Sequence, residues 1–285
     1  MTPNNNLSVL PWYTDINFQN HRKWYSFGDI YPLFTPNRTM LPFQIIRPTR
    51  SNQITNVTIY RKSGQYVANI TQHLKETGLQ IKQFASLGYD VIVYPGILPM
   101  QLTTKEGIYY CTMTDGVQTW YSEMFTLVND LSGYTKIQWY DAENMFFDDG
   151  AIVYDGVPFK NTLYLCTTIG KPEYQFVEEG EDRDGYFFPE KQISEKTYKF
   201  MFLAPEYLCD AMRIIRMSDY VTVESMGQKY DCDTFLITPK WQTQGNLASV
   251  ETEFECATVV KKIGRGVIPT TLGDFNNDFN NDFNI

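Results

Sequence analysis

The sequence predicts a mainly β protein in two β-rich units, with one clear helix in the second (α+β) and an extended arm at each end. Three observations lead there. Aromatic residues make up 15% of the 285 residues, with 20 Tyr and 19 Phe, and such side chains pack well on a pleated surface. Runs of β-branched and aromatic residues recur between Gly, Pro, Asn and Asp, the punctuation of strands and turns. Charge also divides the chain. Residues 1–130 hold 10 basic and 8 acidic side chains, and residues 131–285 the remaining 14 and 25, as two units of different electrostatics would. The apolar share of 43% is ample for a core.

Residues 1–40 set Pro3, Pro11, Pro32 and Pro36 among Trp12, Tyr13, Trp24, Tyr25 and Phe27. Proline blocks helix and central strand, yet the aromatics favour burial. An extended arm lying across its own domain or a neighbour meets both demands. Residues 41–130 then turn to β, with "ITNVTIY" (54–60), "YDVIVYPG" (89–96), "GIYYCTMT" (107–114) and "TWYSEMFTLV" (119–128) as strand-like runs. Asp115-Gly116 between the last two predicts a hairpin with a type I′ turn. A short helix is expected around "ITQHLKETG", with Asn69 as its cap and Gly78 as its stop.

The run "KEGIYYC" resembles the F strand of immunoglobulin-like sandwiches, in which a Tyr two residues before a Cys forms a tyrosine corner. Tyr109 and Cys111 hold those places. No second cysteine occurs in residues 1–130, so the inter-sheet disulfide is missing and an antibody-type domain is excluded. A sandwich that buries Cys111 as a small apolar residue fits.

Residues 131–266 form the second β-rich unit, with "YTKIQWYD", "NTLYLCTTI", "KTYKFMFLA", "DYVTVES", "YDCDTFLITP" and "LASVETEFEC" as strands. One helix stands out near 205–217, in "PEYLCDAMRIIRMSD". Pro205 and Glu206 suit its start, and Leu208, Ala211, Met212 and Ile215 share one face. Gly264, Gly266 and Pro269 break regular structure. Residues 267–285 follow as a C-terminal arm that ends in repeated Phe-Asn-Asn-Asp.

The charge of −9 and pI near 4.8 argue against nucleic acid as a partner, because phosphate backbones need a basic footprint. Five scattered cysteines match no zinc spacing and read as reduced thiols. The N-terminus lacks the pattern of a signal peptide, and no run of about 18 apolar residues predicts a membrane span. Synthesis in the cytoplasm is the expectation. No cofactor or metal is expected either. His21 and His73 have no triad context. The acidic run "EEGEDRDGYFFPE" (178–190) misplaces the ligands of a calcium-binding helix-loop-helix and reads as a solvated hairpin tip or a charged contact to a partner. Asp148, Asp149 and Asp155 lie beside glycines, where aspartate usually forms turns, rather than as a glycosidase pair. By elimination the chain is expected not to be an enzyme.

The stretch "IGKPEYQFVEEGEDRDGYFFPEKQISEKTYKFMFLAPEYLCDAMRIIRMSDYV" and the later "FLITPKWQTQGNLASVETEFECATVVKKIGRG" resemble uncharacterised proteins of Bacteroides-type tailed phages and prophages. The resemblance covers most of residues 40–266 and brings no active site. It implies a virion structural protein of the tail or baseplate type, assembling with copies of itself and with other virion proteins. Tail proteins of the distal type build rings from β-sandwich domains. The virion is then its location, after synthesis in the host cytoplasm.

The terminal repeat lies outside that resemblance. Phe275, Phe279 and Phe283 are four residues apart, so an extended strand sets all three on one face, and Asn and Asp compete with helical hydrogen bonding. These phenylalanines are expected to anchor the arm in a groove or on a sheet edge of a neighbouring subunit. Trp12 and Trp24 are expected as contacts of the N-terminal arm. The rival reading is a receptor- or glycan-binding sandwich at a tail tip, with Trp12, Trp24 and Trp120 as sugar platforms.

Overall fold

A computed structural model describes residues 7–15, 33–37, 39–96, 106–147, 150–241 and 247–262. The chain is mainly β, as the composition predicts. The first strands are β1 (Trp12–Tyr13), β2 (Phe34–Pro36), β3 (Phe43–Pro48), β4 (Asn56–Arg61) and β5 (Tyr66–Asn69). Helix α1 (Thr71–Glu76) and β6 (Gln80–Phe84) follow, and then β7 (Tyr89–Tyr94), β8 (Gly107–Thr114), β9 (Thr119–Ser122) and β10 (Phe125–Val128). Three of them form one antiparallel sheet in the order β3-β7-β6. The rest join a second sheet, where β8 pairs with β4 on one side and with β9 and then β10 on the other. The two layers meet through Trp12 on Phe43 (ring centroids 4.8 Å apart) and through Cys111, whose thiol is buried 3.9 Å from the Met40 sulfur. Cys111 is the small apolar filler that the missing disulfide called for.

Two local expectations change. The β8–β9 hairpin forms, but its loop is Asp115–Gln118 rather than a two-residue type I′ turn. Asp115 keeps a negative φ, unlike Gly116 at φ +86°, because its carboxylate is used elsewhere. One oxygen accepts the N–H groups of Val117 (3.0 Å) and Gln118 (2.9 Å), while the other meets the Arg47 guanidinium at 2.7 Å. Helix α1 is capped at Ile70. Asn69 sits one residue earlier and accepts the Thr71 N–H at 2.9 Å.

The second half contributes β11 (Thr135–Tyr140), β12 (Met145–Phe147), β13 (Gly150–Ile152), β14 (Asn161–Leu165), β15 (Glu173–Arg183) and β16 (Tyr186–Ala204). Helix α2 (Glu206–Met212), a 3₁₀ turn at Ile215–Met217, β17 (Tyr220–Ser225), β18 (Gln228–Trp241) and β19 (Ala248–Lys262) complete it. Pro205 is the N-cap of α2, in an extended conformation, rather than its first helical residue, and the helix ends at Met212 with Arg213 as its C-cap, in the first half of its expected span.

The described part of residues 1–40 is built into the sheet. Strand β2 pairs in parallel with β10 and antiparallel with β14, which makes one fourteen-stranded sheet run through both halves. Leu7, Val9, Leu10, Trp12 and Leu33 lie in a single core cluster with residues of both halves. A second tie is Gln44 on β3. Its buried side-chain amide donates to the Val153 carbonyl and accepts the Val153 N–H, each at 2.8 Å. Beside it, a Cβ on Gly150 would stand only 2.2 Å from the Ile46 Cδ1, so glycine is what lets β13 lie against β3.

Candidate interaction surface

The far side of the large sheet is built from four long antiparallel strands in the order β18-β19-β16-β15. On the core side their alternation is regular. Ala248, Val250, Thr252, Phe254 and Cys256 of β19 are buried in turn, and Tyr198 stacks on Phe254 with centroids 5.3 Å apart. A crease then crosses three strands at one level. Register shifts follow Cys232 on β18, precede Lys196 on β16, and flank Cys256 on β19. Ala257 takes φ +56° there, a left-handed conformation costly for a residue with a Cβ. Such bulges bend and twist a sheet.

Beyond the crease, β18 leaves to pair with β17, and among the described residues β15, β16 and the end of β19 continue alone. From Tyr186 to Ser194, β16 is nine residues long, about 30 Å at strand rise. Asp184 (φ 52°) and Gly185 (φ 81°) close its tip, with positive φ at both positions as a type I′ turn needs. Among the described residues Pro189 falls beyond Lys191, the last β16 residue paired to β19, so its missing N–H costs no ladder bond to them on that side.

This ribbon exposes apolar side chains on both faces. Cross-strand rows run Phe176–Ser194–Val259 on one face and Val177–Ile193–Val260 on the other. Phe176 is 63% exposed and Val259 64%. Tyr186, Phe187 and Phe188 are exposed toward the tip. Ion pairs run along the surface, Lys191 to Glu179 at 3.1 Å and Lys199 to Glu173 at 2.8 Å. The Glu173 hydrogen bond pushes the Lys199 ammonium above the ordinary lysine range.

A second concavity lies between α2 and β18. It is a groove of about 650 Å³ with Met212, Ile215, Phe235, Ile237 and Trp241 among its lining and the guanidiniums of Arg213 and Arg216 beside it. Trp241 is 48% exposed. Along the groove, β18 pairs with β19 on one side alone from Cys232 to Trp241 among the described residues.

The structure places the sequence-selected residues unevenly. Trp12 is 3% exposed and Trp120 2%. Both indoles are packed into the core of their own chain, which corrects their reading as partner contacts or sugar platforms. Trp24, Phe275, Phe279 and Phe283 lie outside the described residues, as do His21, Asp148 and Asp149. The acidic run is the β15–β16 hairpin tip, as expected of it. Among the described residues no cluster of three or more His, Cys, Asp or Glu side chains is arranged to hold a metal ion. The ribbon and its two edges were missed. Asp184-Gly185 between aromatic–acidic alternations was the available signal, of the same kind as Asp115-Gly116.

No protein-family model matches the chain, and no curated protein matches it.

Proposed function

We propose that the chain is a non-enzymatic structural subunit of a phage particle, of the tail or baseplate type, that assembles with copies of itself. The observation that carries this reading is the ribbon. Soluble monomers rarely leave contiguous apolar surface on both faces of a projecting sheet, and an assembled subunit covers it. The orders β3-β7-β6 and β4-β8-β9 support reading the first half as an immunoglobulin-like sandwich, whose sheets run B-E-D and C-F-G, the kind of module from which such rings are made. The C-terminal arm adds a latch. Its three phenylalanines, spaced for one face of a strand, suit a groove floored by Phe235, Ile237 and Trp241, beside a β18 edge that is unpaired among the described residues.

The test is the mass in solution of the full chain and of a chain ending at Gly266, by light scattering behind a sizing column. The expected result is a discrete assembly of the full chain that falls toward monomer on truncation. A full chain that stays monomeric at every concentration refutes self-assembly.

A further inference from the structure

We infer that the ribbon joins one copy to the next edge to edge and head to tail, with the β19 end of one copy against β15 of its neighbour. The inference rests on the self-assembly reading and adds the surface and polarity of the contact. Beyond the crease the ribbon has two open edges among the described residues. Strand β15 ends the sheet, and β19 past Cys256 pairs with β16 alone. Open edges present unpaired N–H and C=O groups, a template for another strand.

The two edges carry opposite charge. The β15 edge bears Glu178, Glu179 and Asp182, all exposed, and the β19 edge bears Lys261 and Lys262, also exposed. Neither lysine makes an ion pair among the described residues. Both charge sets lie at one level, because Glu179, Lys191 and Lys262 share a cross-strand row, as do Glu178, Gln192 and Lys261.

Charge then decides between the two ways of pairing copies. A two-fold contact sets an edge against itself. That would oppose acid to acid or lysine to lysine, and like charges on facing strands repel. A head-to-tail contact sets Lys261 and Lys262 against the acidic run of the next copy and carries Val259 and Val260 toward Phe176 and Val177. Strands β15 and β19 run in the same direction, both antiparallel to β16, so copies related by rotation about an axis along the ribbon pair these edges in parallel. Repetition builds a ring of ribbons where the rotation closes.

The experiment reverses each edge in the full chain. One variant carries Glu178→Lys and Glu179→Lys, the other Lys261→Glu and Lys262→Glu, and assembly midpoints are read by light scattering. Each variant alone should assemble at a concentration about ten-fold or more above that of the unaltered chain. An equal mixture should recover assembly, since each variant's edges then meet an opposite partner; that recovery also shows both variants folded. Unaltered chains that assemble while the reversals change nothing, or a mixture that stays dissociated, would overturn the edge contact and leave self-assembly standing. Unaltered chains that never assemble would sink both.

Discussion

Arg47 is 1% exposed, yet it is charged, and replacing it with Met tests what joins the two sheets of the first half. Its guanidinium donates to the Asp115 carboxylate at 2.7 Å and the Asn52 carbonyl at 2.6 Å, and lies 3.5 Å from Asp90. The carboxylates of Asp90 and Asp115 are fully buried. Arg47→Met keeps most of the volume and removes the charge, which strands two buried anions. Breaking a buried pair on one side costs about 3–5 kcal/mol. Some compensation remains: Arg50 stays 3.4 Å from Asp115 and its N–H donates to Asp90 at 3.2 Å. The expected loss is therefore near the lower bound, about 3 kcal/mol. Urea unfolding followed by tryptophan fluorescence measures it, since Trp120 lies 5.9 Å from the Arg50 guanidinium. A loss below about 1 kcal/mol, the level of an exposed pair, would refute the claim that this network is a buried tie.

Acid provides a second reading of the same network. Burial pushes the Asp115 carboxyl up, but the Gln118 and Val117 N–H groups, Arg50 and Arg47 outweigh it and hold it below the ordinary value. A depressed carboxylate adds stability above its unfolded pKa of about 4, and that contribution is lost as pH falls through the folded value. Asp115→Asn should flatten the fall in stability below pH 4, and an unchanged acid limb would contradict this. Ala257→Gly should stabilise the fold by up to about 1 kcal/mol by relieving the left-handed backbone, with Ala257→Val going the other way in thermal unfolding. Gln44→Leu should cost about 2 kcal/mol by leaving the Val153 amide and carbonyl without partners, seen as a lowered urea midpoint. Gly150→Ala should cost about 1–3 kcal/mol by forcing β13 off Ile46, measured the same way.

Much of this fold was legible locally. The run "YTKIQWYD" predicts a strand, and it forms β11 with Ile137 and Trp139 fully buried on its inner face. The helix after Pro205 was readable from its start and apolar face, and the acidic run from its charge as a solvated hairpin tip. The phenylalanine anchors of the C-terminal repeat were legible as a pattern, but they fall outside the described residues. Trp12 and Trp120 show the limit. Composition marks an indole as fit for burial or for binding, and only the surrounding strands decide which.

The sequence by itself determined strands such as β4, β7, β8, β11 and β17, because their side-chain patterns depend on neighbours within a few residues, while β15 of the ribbon escaped it. Only the tertiary structure decided that β2 sits between β10 and β14, that Arg47 reaches Asp115 across 68 residues, and that one alternating strand covers a core up to Cys256 and stands clear of it afterwards. The strict alternation of "ETEFEC" gives way to "ATVVKK" at that point, yet the strand goes on pairing with β16. What changes is what lies opposite, and strand pairing at long separation, with a crease at Ala257, sets that.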